Sequence, residues 1–176
     1  MMAQLSRAYG RCINALSLLG CALLLFMMLI IVADVLLRNL ALPGWPQGLA
    51  WSNEISELLL YLITMCLAPW LLRLGQHIRV DIALKALPVR VGWLLEWCGD
   101  ALALVCCLLL CSYGVQATLN SLASGAVNIK TLVTPEWWSL APLPITFALL
   151  AIEMVFRMHR LYAGPRQPRD DSVSAA

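Results

Sequence analysis

From Cys12 to Ala33 the chain carries no charged side chain. At a helical rise of about 1.5 Å per residue, that stretch covers the roughly 30 Å hydrocarbon thickness of a bilayer. In water it would have to be enclosed on every side by other protein. A chain of 176 residues that is 61% hydrophobic and only 12% charged has too little polar material to do so. Lipid is therefore part of its solvent. Inside lipid, each backbone N–H and C=O must be satisfied within the protein, and continuous apolar runs of this length specify helices.

Three further segments meet the same requirement, which predicts an all-α membrane protein with four transmembrane helices over about 13–37, 50–73, 93–119 and 137–159. In the first, Asp34 precedes Arg38 by one helical turn and is placed to pair with it near an interface. The second is opened by Pro46 and carries Glu54 and Glu57 ahead of an uncharged run from Leu58 to Leu72. Pro69, near its far end, removes a backbone donor, which a kink or packing against a neighbouring helix can tolerate. The third span follows Glu96 and Asp100, and the fourth starts near Trp137 and Trp138, with Pro142 and Pro144 making its early turns irregular. Residues 1–163 form one four-helix membrane domain. The Pro-, Arg-, Asp- and Ser-rich residues 164–176 read as a disordered cytoplasmic tail. The first apolar stretch follows Arg7 and Arg11 as in a signal peptide, but it is too long and lacks a small-residue cleavage site, so it is read as a retained helix.

Basic residues set the orientation, because short cytoplasmic loops retain Lys and Arg. With the N-terminus inside, Arg7, Arg11, Arg73, Arg79, Lys85, Arg90, Arg157, Arg160, Arg166 and Arg169 are cytoplasmic, and only Arg38 and Lys130 lie outside. An odd number of spans would separate the two terminal basic clusters, so charge supports four helices independently of hydropathy. Trp45, Trp51, Trp137 and Trp138 then mark the outer interface, and Trp93 and Trp97 the inner one. Between the second and third spans, residues 77–90 place Val80, Ala83, Leu84 and Leu87 at helical spacing, with Asp81 and Lys85 one turn apart. This pattern predicts a short amphipathic helix on the cytoplasmic surface.

The same residues narrow the chemistry. Twelve Lys plus Arg against ten Asp plus Glu leave too small an excess to hold a nucleic-acid backbone. Cys21, Cys66, Cys106, Cys107 and Cys111 lie in apolar runs, with Cys12 and Cys98 at the edges of two others. They read as small buried filler, and no His completes a zinc spacing with them. His77 and His159 fall outside the hydrocarbon and cannot bracket a haem, and the outer loops contain no cysteine pair for thiol oxidation. No catalytic, cofactor or metal residue is therefore expected. The acidic residues Asp34, Glu54, Glu57, Glu96, Asp100 and Glu153 all fall near helix ends, where water and headgroups are expected to lower the cost of charge. A carrier needs a charged or unwound site at mid-depth, so transport by this polypeptide alone is not expected. A homo-oligomeric small transporter or channel would need a polar stripe, for which Ser112, Gln116 and Asn120 are the candidate. Glu54 and Glu57 read either as a solvated interfacial face or as contacts that orient a partner. His77 and Asp81 read either as partner or headgroup contacts or as capping of the surface helix.

Two stretches carry a resemblance. One is WSNEISELLLYLITM at Trp51 to Met65. The other is GQHIRVDIALKALP at Gly75 to Pro88, where His77, Ile78, Val80 and Asp81 form an H-I-x-V-D pattern. Together they resemble the small, Q-type (DctQ-like) membrane subunit of tripartite ATP-independent periplasmic (TRAP) transporters, with similarity from the first span to the fourth. In that family an aromatic residue and adjacent acidic residues commonly open the second helix. Trp51 and Glu54 match, whereas Asn53 precedes Glu54 and Glu57 stands where a basic residue is frequent.

The resemblance implies a bacterial inner-membrane protein with both termini cytoplasmic, working in sodium-driven organic-acid uptake. Its partners would be a large membrane subunit, which binds sodium and substrate and moves like an elevator, and a periplasmic substrate-binding protein. The small subunit would be a scaffold embedded in lipid, without a cofactor. Trp51, Glu54, Glu57, His77, Arg79 and Asp81 are its candidate partner-contact or interfacial residues.

Overall fold

The computed structural model describes residues 2–40, 48–74, 88–129 and 132–163 of the chain. Among them are α1 (Met2–Leu40), α2 (Ser52–Arg73), α3 (Val89–Ser124), a hairpin of β1 (Val127–Ile129) and β2 (Val133–Pro135), the short α4 (Trp137–Leu140) and α5 (Pro142–Ala163). Four helical segments are long and apolar enough to cross a membrane: Tyr9–Leu40, Ser52–Arg73, Val91–Ser124 and Trp137–Ala163. The chain is an all-α membrane protein. The expected surface helix falls outside the described residues up to residue 87, and its last two positions, Val89 and Arg90, belong instead to α3. The tail at 164–176 also lies outside them.

Helix ends follow local chemistry. Pro88 has the extended backbone (ψ 139°) that precedes a helix, and its carbonyl accepts the Val91 and Gly92 amides, so α3 starts there rather than at 93. At its other end Gly125 adopts φ 63° and its N–H donates to the Ser121 carbonyl, a left-handed closure that a β-carbon would strain. At 39 and 36 residues, α1 and α3 are about 58 and 54 Å long, so both overrun the hydrocarbon or tilt within it. The fourth span is divided at Pro142, as the prolines foretold. The Ala141 amide donates to the Trp137 carbonyl at 2.9 Å and carries helical geometry up to the break.

The helices pack as two antiparallel pairs, α1 along α2 and α3 along α5, joined along a lighter seam between α2 and α5. Ile30, Leu59 and Ile63 form the buried core of the first pair, flanked by Leu23, Met27, Ile55 and Leu67. In the second pair the crossing is set by Gly114, where an added Cβ would stand 2.5 Å from Leu143 Cδ2 and 3.3 Å from the Pro144 nitrogen. The remaining apolar surface faces outward, as in Leu18 (73% exposed) and Leu102 (67%), which suits a lipid solvent. The same geometry corrects the reading of the cysteines as buried filler: only Cys107 is buried, while Cys12, Cys21, Cys98 and Cys106 are exposed. A bundle this thin turns most of its apolar positions towards acyl chains rather than a protein core.

Candidate functional site

The polar groups collect at the two ends of the bundle. At the hairpin end, Asp34 and Arg38 pair at 3.0 Å as their spacing predicts, and the other Asp34 oxygen accepts the Leu49 amide at 2.6 Å. This carboxylate fixes the chain as it enters α2. Trp51 is the N-terminal flanking residue of α2 and is 36% exposed, next to the boundary that Trp137 and Trp138 also mark. Glu54, one turn further on, is half-buried and accepts the Leu132 amide at 2.9 Å, tying the hairpin to α2 across 78 residues of sequence.

Glu57 is exposed and stands with Glu54 on one wall of a cleft of about 380 Å³. Asn128, Thr134 and Ser139 face them across it. The strand register, Val127 opposite Pro135 and Asn128 opposite Thr134, explains this arrangement. One hairpin face is apolar, and the other carries the polar pair that lines the cleft. The structure thus brings Trp51, Glu54 and Glu57 to one end. His77, Arg79 and Asp81 lie outside the described residues.

At the opposite end, where α1 begins and α5 finishes, sequence reasoning missed a buried ionic network. Glu153 is fully enclosed (0% exposed), with Arg160 Nη2 at 2.6 Å and Arg73 Nη1 at 3.6 Å. Asp100 and Arg157, both buried, pair at 3.3 Å between α3 and α5. Tyr9 completes the cluster: its hydroxyl donates to the Leu149 carbonyl at 2.6 Å, its ring packs on Phe156, and the Arg73 guanidinium lies 5.8 Å from the ring centre. The expectation that water and headgroups relieve Glu96, Asp100 and Glu153 is therefore corrected. All three are buried, and for Asp100 and Glu153 basic side chains from neighbouring turns and helices offset the lost hydration. The spacing of Glu153 to Arg157 and Arg160 was visible in the sequence, but the burial that gives it meaning is tertiary.

These two ends bracket a membrane-sized interval. Asp100 pairs with Arg157, and 21 residues later Ser121 donates to Glu136 at 3.2 Å, about 32 Å away along α3. Within that interval three polar side chains turn to nearby carbonyls: Thr118 to Gly114, Ser112 to Leu109 and Cys111 to Pro144. No group of three or more metal-ligating side chains occurs among the described residues.

The family model for the DctQ component of tripartite ATP-independent periplasmic transporters matches residues 27–164. The chain belongs to the DctQ family. A search of the curated proteins finds no match to it. The matched region takes in Trp51, Glu54 and Glu57, the hairpin and the ionic network around Glu153. DctQ proteins are components of transporters rather than an enzyme family, and a tripartite system implies a partner membrane protein and a binding protein.

One feature of this DctQ chain bears on such partners. Ser112, Gln116 and Asn120 recur every four residues along α3, and all three are exposed, directed away from the other helices. Ser112 is satisfied by its own helix at 2.8 Å, whereas the Gln116 amide has no hydrogen-bond partner among the described residues. Gln116 lies five residues, or about 7 Å, inside Ser121.

Proposed function

We propose that this chain is the small permease subunit of a sodium-driven TRAP transporter that imports organic acids in concert with a periplasmic binding protein. In this reading it resides in the bacterial inner membrane with both termini cytoplasmic, and it catalyses no reaction. It acts as a stationary scaffold. The large subunit holds sodium and substrate and moves against it, while the hairpin end, with Trp51, Glu54 and Glu57, faces the periplasm and the binding protein. Placing the ionic network at the cytoplasmic end agrees with the ten-to-two distribution of basic residues.

The observation that carries the scaffold reading is the placement of polar groups at membrane depth. Inside the bundle Cys111, Thr118 and Thr146 donate to the chain's own carbonyls, and the Ser112–Gln116–Asn120 row faces out. An outward row cannot line a path through this bundle, but it provides donors and acceptors for another membrane chain. Reconstitution tests the reading. Uptake should require this chain, the large subunit and the binding protein together, and a cysteine at Gln116 should cross-link to the large subunit. Substrate uptake by this chain alone would overturn it. The same row also supports a homo-oligomeric channel, in which Gln116 would face a shared pore. That reading requires cross-linking between copies, with flux in the absence of other subunits.

A further inference from the structure

The hairpin after α3 is amphipathic in the wrong sense for water. Along β1 the exposed positions are Val127 and Ile129 (79% exposed), while Asn128 between them is half-buried and lines the cleft. The register sets Val133 (66% exposed) opposite Ile129 on the outward face, and Thr134 joins Asn128 on the inner one. A hairpin bathed in water turns its polar side chains out and its apolar ones in. Here the order is reversed, as it is on the lipid face of a membrane β-structure. Position along the bundle agrees. At the root of the hairpin the Glu136 amide donates to the Ala126 carbonyl at 3.0 Å, and Glu136 accepts from Ser121, next to Trp137. Near its tip the Leu132 amide meets Glu54, three residues or about 4.5 Å inside Trp51 along α2. Root and tip therefore both lie at the level of the tryptophans.

We propose that this hairpin is an interfacial membrane anchor: Val127, Ile129 and Val133 enter the outermost acyl layer of the leaflet at this end, and Asn128 and Thr134 stay against the protein. The proposal rests on the membrane location of the bundle and is independent of the subunit role. Three observations favour lipid as the occupant. The face continues the exposed apolar surface of α3, where Leu119 and Leu122 lead up to Gly125 and the first strand. It is aliphatic, without the aromatic and Arg anchors that dominate protein contacts, and its three large side chains fall far short of the roughly 20–30 residues a side in a stable protein interface. Trp137 and Trp138, both exposed, follow β2 directly, and such rings settle at headgroup level. The backbone limits the depth. Both strands are edges of a two-stranded sheet, and edge N–H and C=O groups need headgroups or water, so the hairpin lies along the boundary and goes no deeper.

The full chain in vesicles of phosphatidylethanolamine and phosphatidylglycerol tests this. A ketone amino acid in place of Ile129 carries a nitroxide without using the natural cysteines, and its collisions with oxygen and with a nickel chelate report its depth. Oxygen collisions should dominate there, as they should at the same label in place of Leu119. Nickel-dominated collisions would put the face in water, exclusion of both reagents would put it in protein, and either overturns the proposal. Ile129→Asp, at a site open enough to accept the change, should expel the face and speed amide exchange across 125–136 about tenfold in nanodiscs, in line with losing the partial burial of one isoleucine side chain. Unchanged exchange would count against an anchor. In native membranes a benzophenone amino acid in place of Ile129 should cross-link to lipid. An adduct with another protein instead would make the face a protein interface and end the proposal.

Discussion

Thr146 on α5 donates its hydroxyl to the Met65 carbonyl on α2 at 3.3 Å, and Met65 is the residue whose helical donor is missing because Pro69 stands four positions later. Pro69 and Thr146 are both buried, so the threonine hydroxyl supplies from within the bundle the donor that the proline lacks. A proline and a threonine 77 residues apart thus complement each other across the seam that joins the two helix pairs. Thr146→Val keeps the shape and removes the donor. It should destabilise the fold by about 0.5–2 kcal/mol, the range of interhelical hydrogen bonds in membranes. Steric trapping or SDS-induced unfolding in bicelles would measure this. The double variant Thr146→Val with Pro69→Ala should recover most of the loss, since alanine restores the backbone donor.

Four spans, the Asp34–Arg38 pair and the break at Pro142 were legible because each rests on spacing within one helix. The partner of the Met65 carbonyl was not, because hydropathy does not say which helix faces which. The enclosure of Glu153 was hidden for the same reason: position along the helix suggested a wet end, whereas rotation about the axis placed it against Arg73 and Arg160. The hairpin was also missed. Its two three-residue strands give too short an alternation to stand out, and the Glu54 contact to the Leu132 amide that seats them is purely tertiary. Of the candidate residues, Trp51, Glu54 and Glu57 come together at one end.

The ionic network should behave as a clasp at the end where the termini meet. Glu153→Ala leaves the partly buried Arg73 without this carboxylate and should cost about 2–4 kcal/mol, near the lower end of what breaking a buried pair costs because Arg160 is half exposed and rehydrates. Glu153→Gln still accepts a hydrogen bond from Arg160 and should cost less. Thermal unfolding in a fixed detergent, followed by tryptophan fluorescence, would rank the three proteins. Equal stability of Glu153→Ala and the parent would remove the clasp.

Hydrogen exchange offers a test of how the hairpin is held. Because the Glu54 carboxylate accepts the Leu132 amide at 2.9 Å, Glu54→Ala should free the hairpin from α2 while the α2 backbone stays protected. The Leu132 amide should exchange about fivefold faster, as expected for losing roughly 1 kcal/mol of protection at a half-buried contact. Peptide-level exchange over 125–136 should rise, with no change over α1.

The exposed row on α3 separates the scaffold from the channel. Gln116 lies at acyl-chain depth with its amide directed out of the bundle, so in isolation Gln116→Leu removes a polar group from lipid and should leave the chain as stable or slightly more so. In the assembled transporter the same change should remove interhelical hydrogen bonds of about 0.6 kcal/mol each and loosen the complex with the large subunit. Opposite signs for the isolated chain and the complex are what an intersubunit contact produces, whereas a purely structural residue would shift both in one direction. Stability of the purified chain and the fraction of complex surviving detergent titration would be read side by side. Loss of flux with an undiminished complex would instead point to a pore-lining amide.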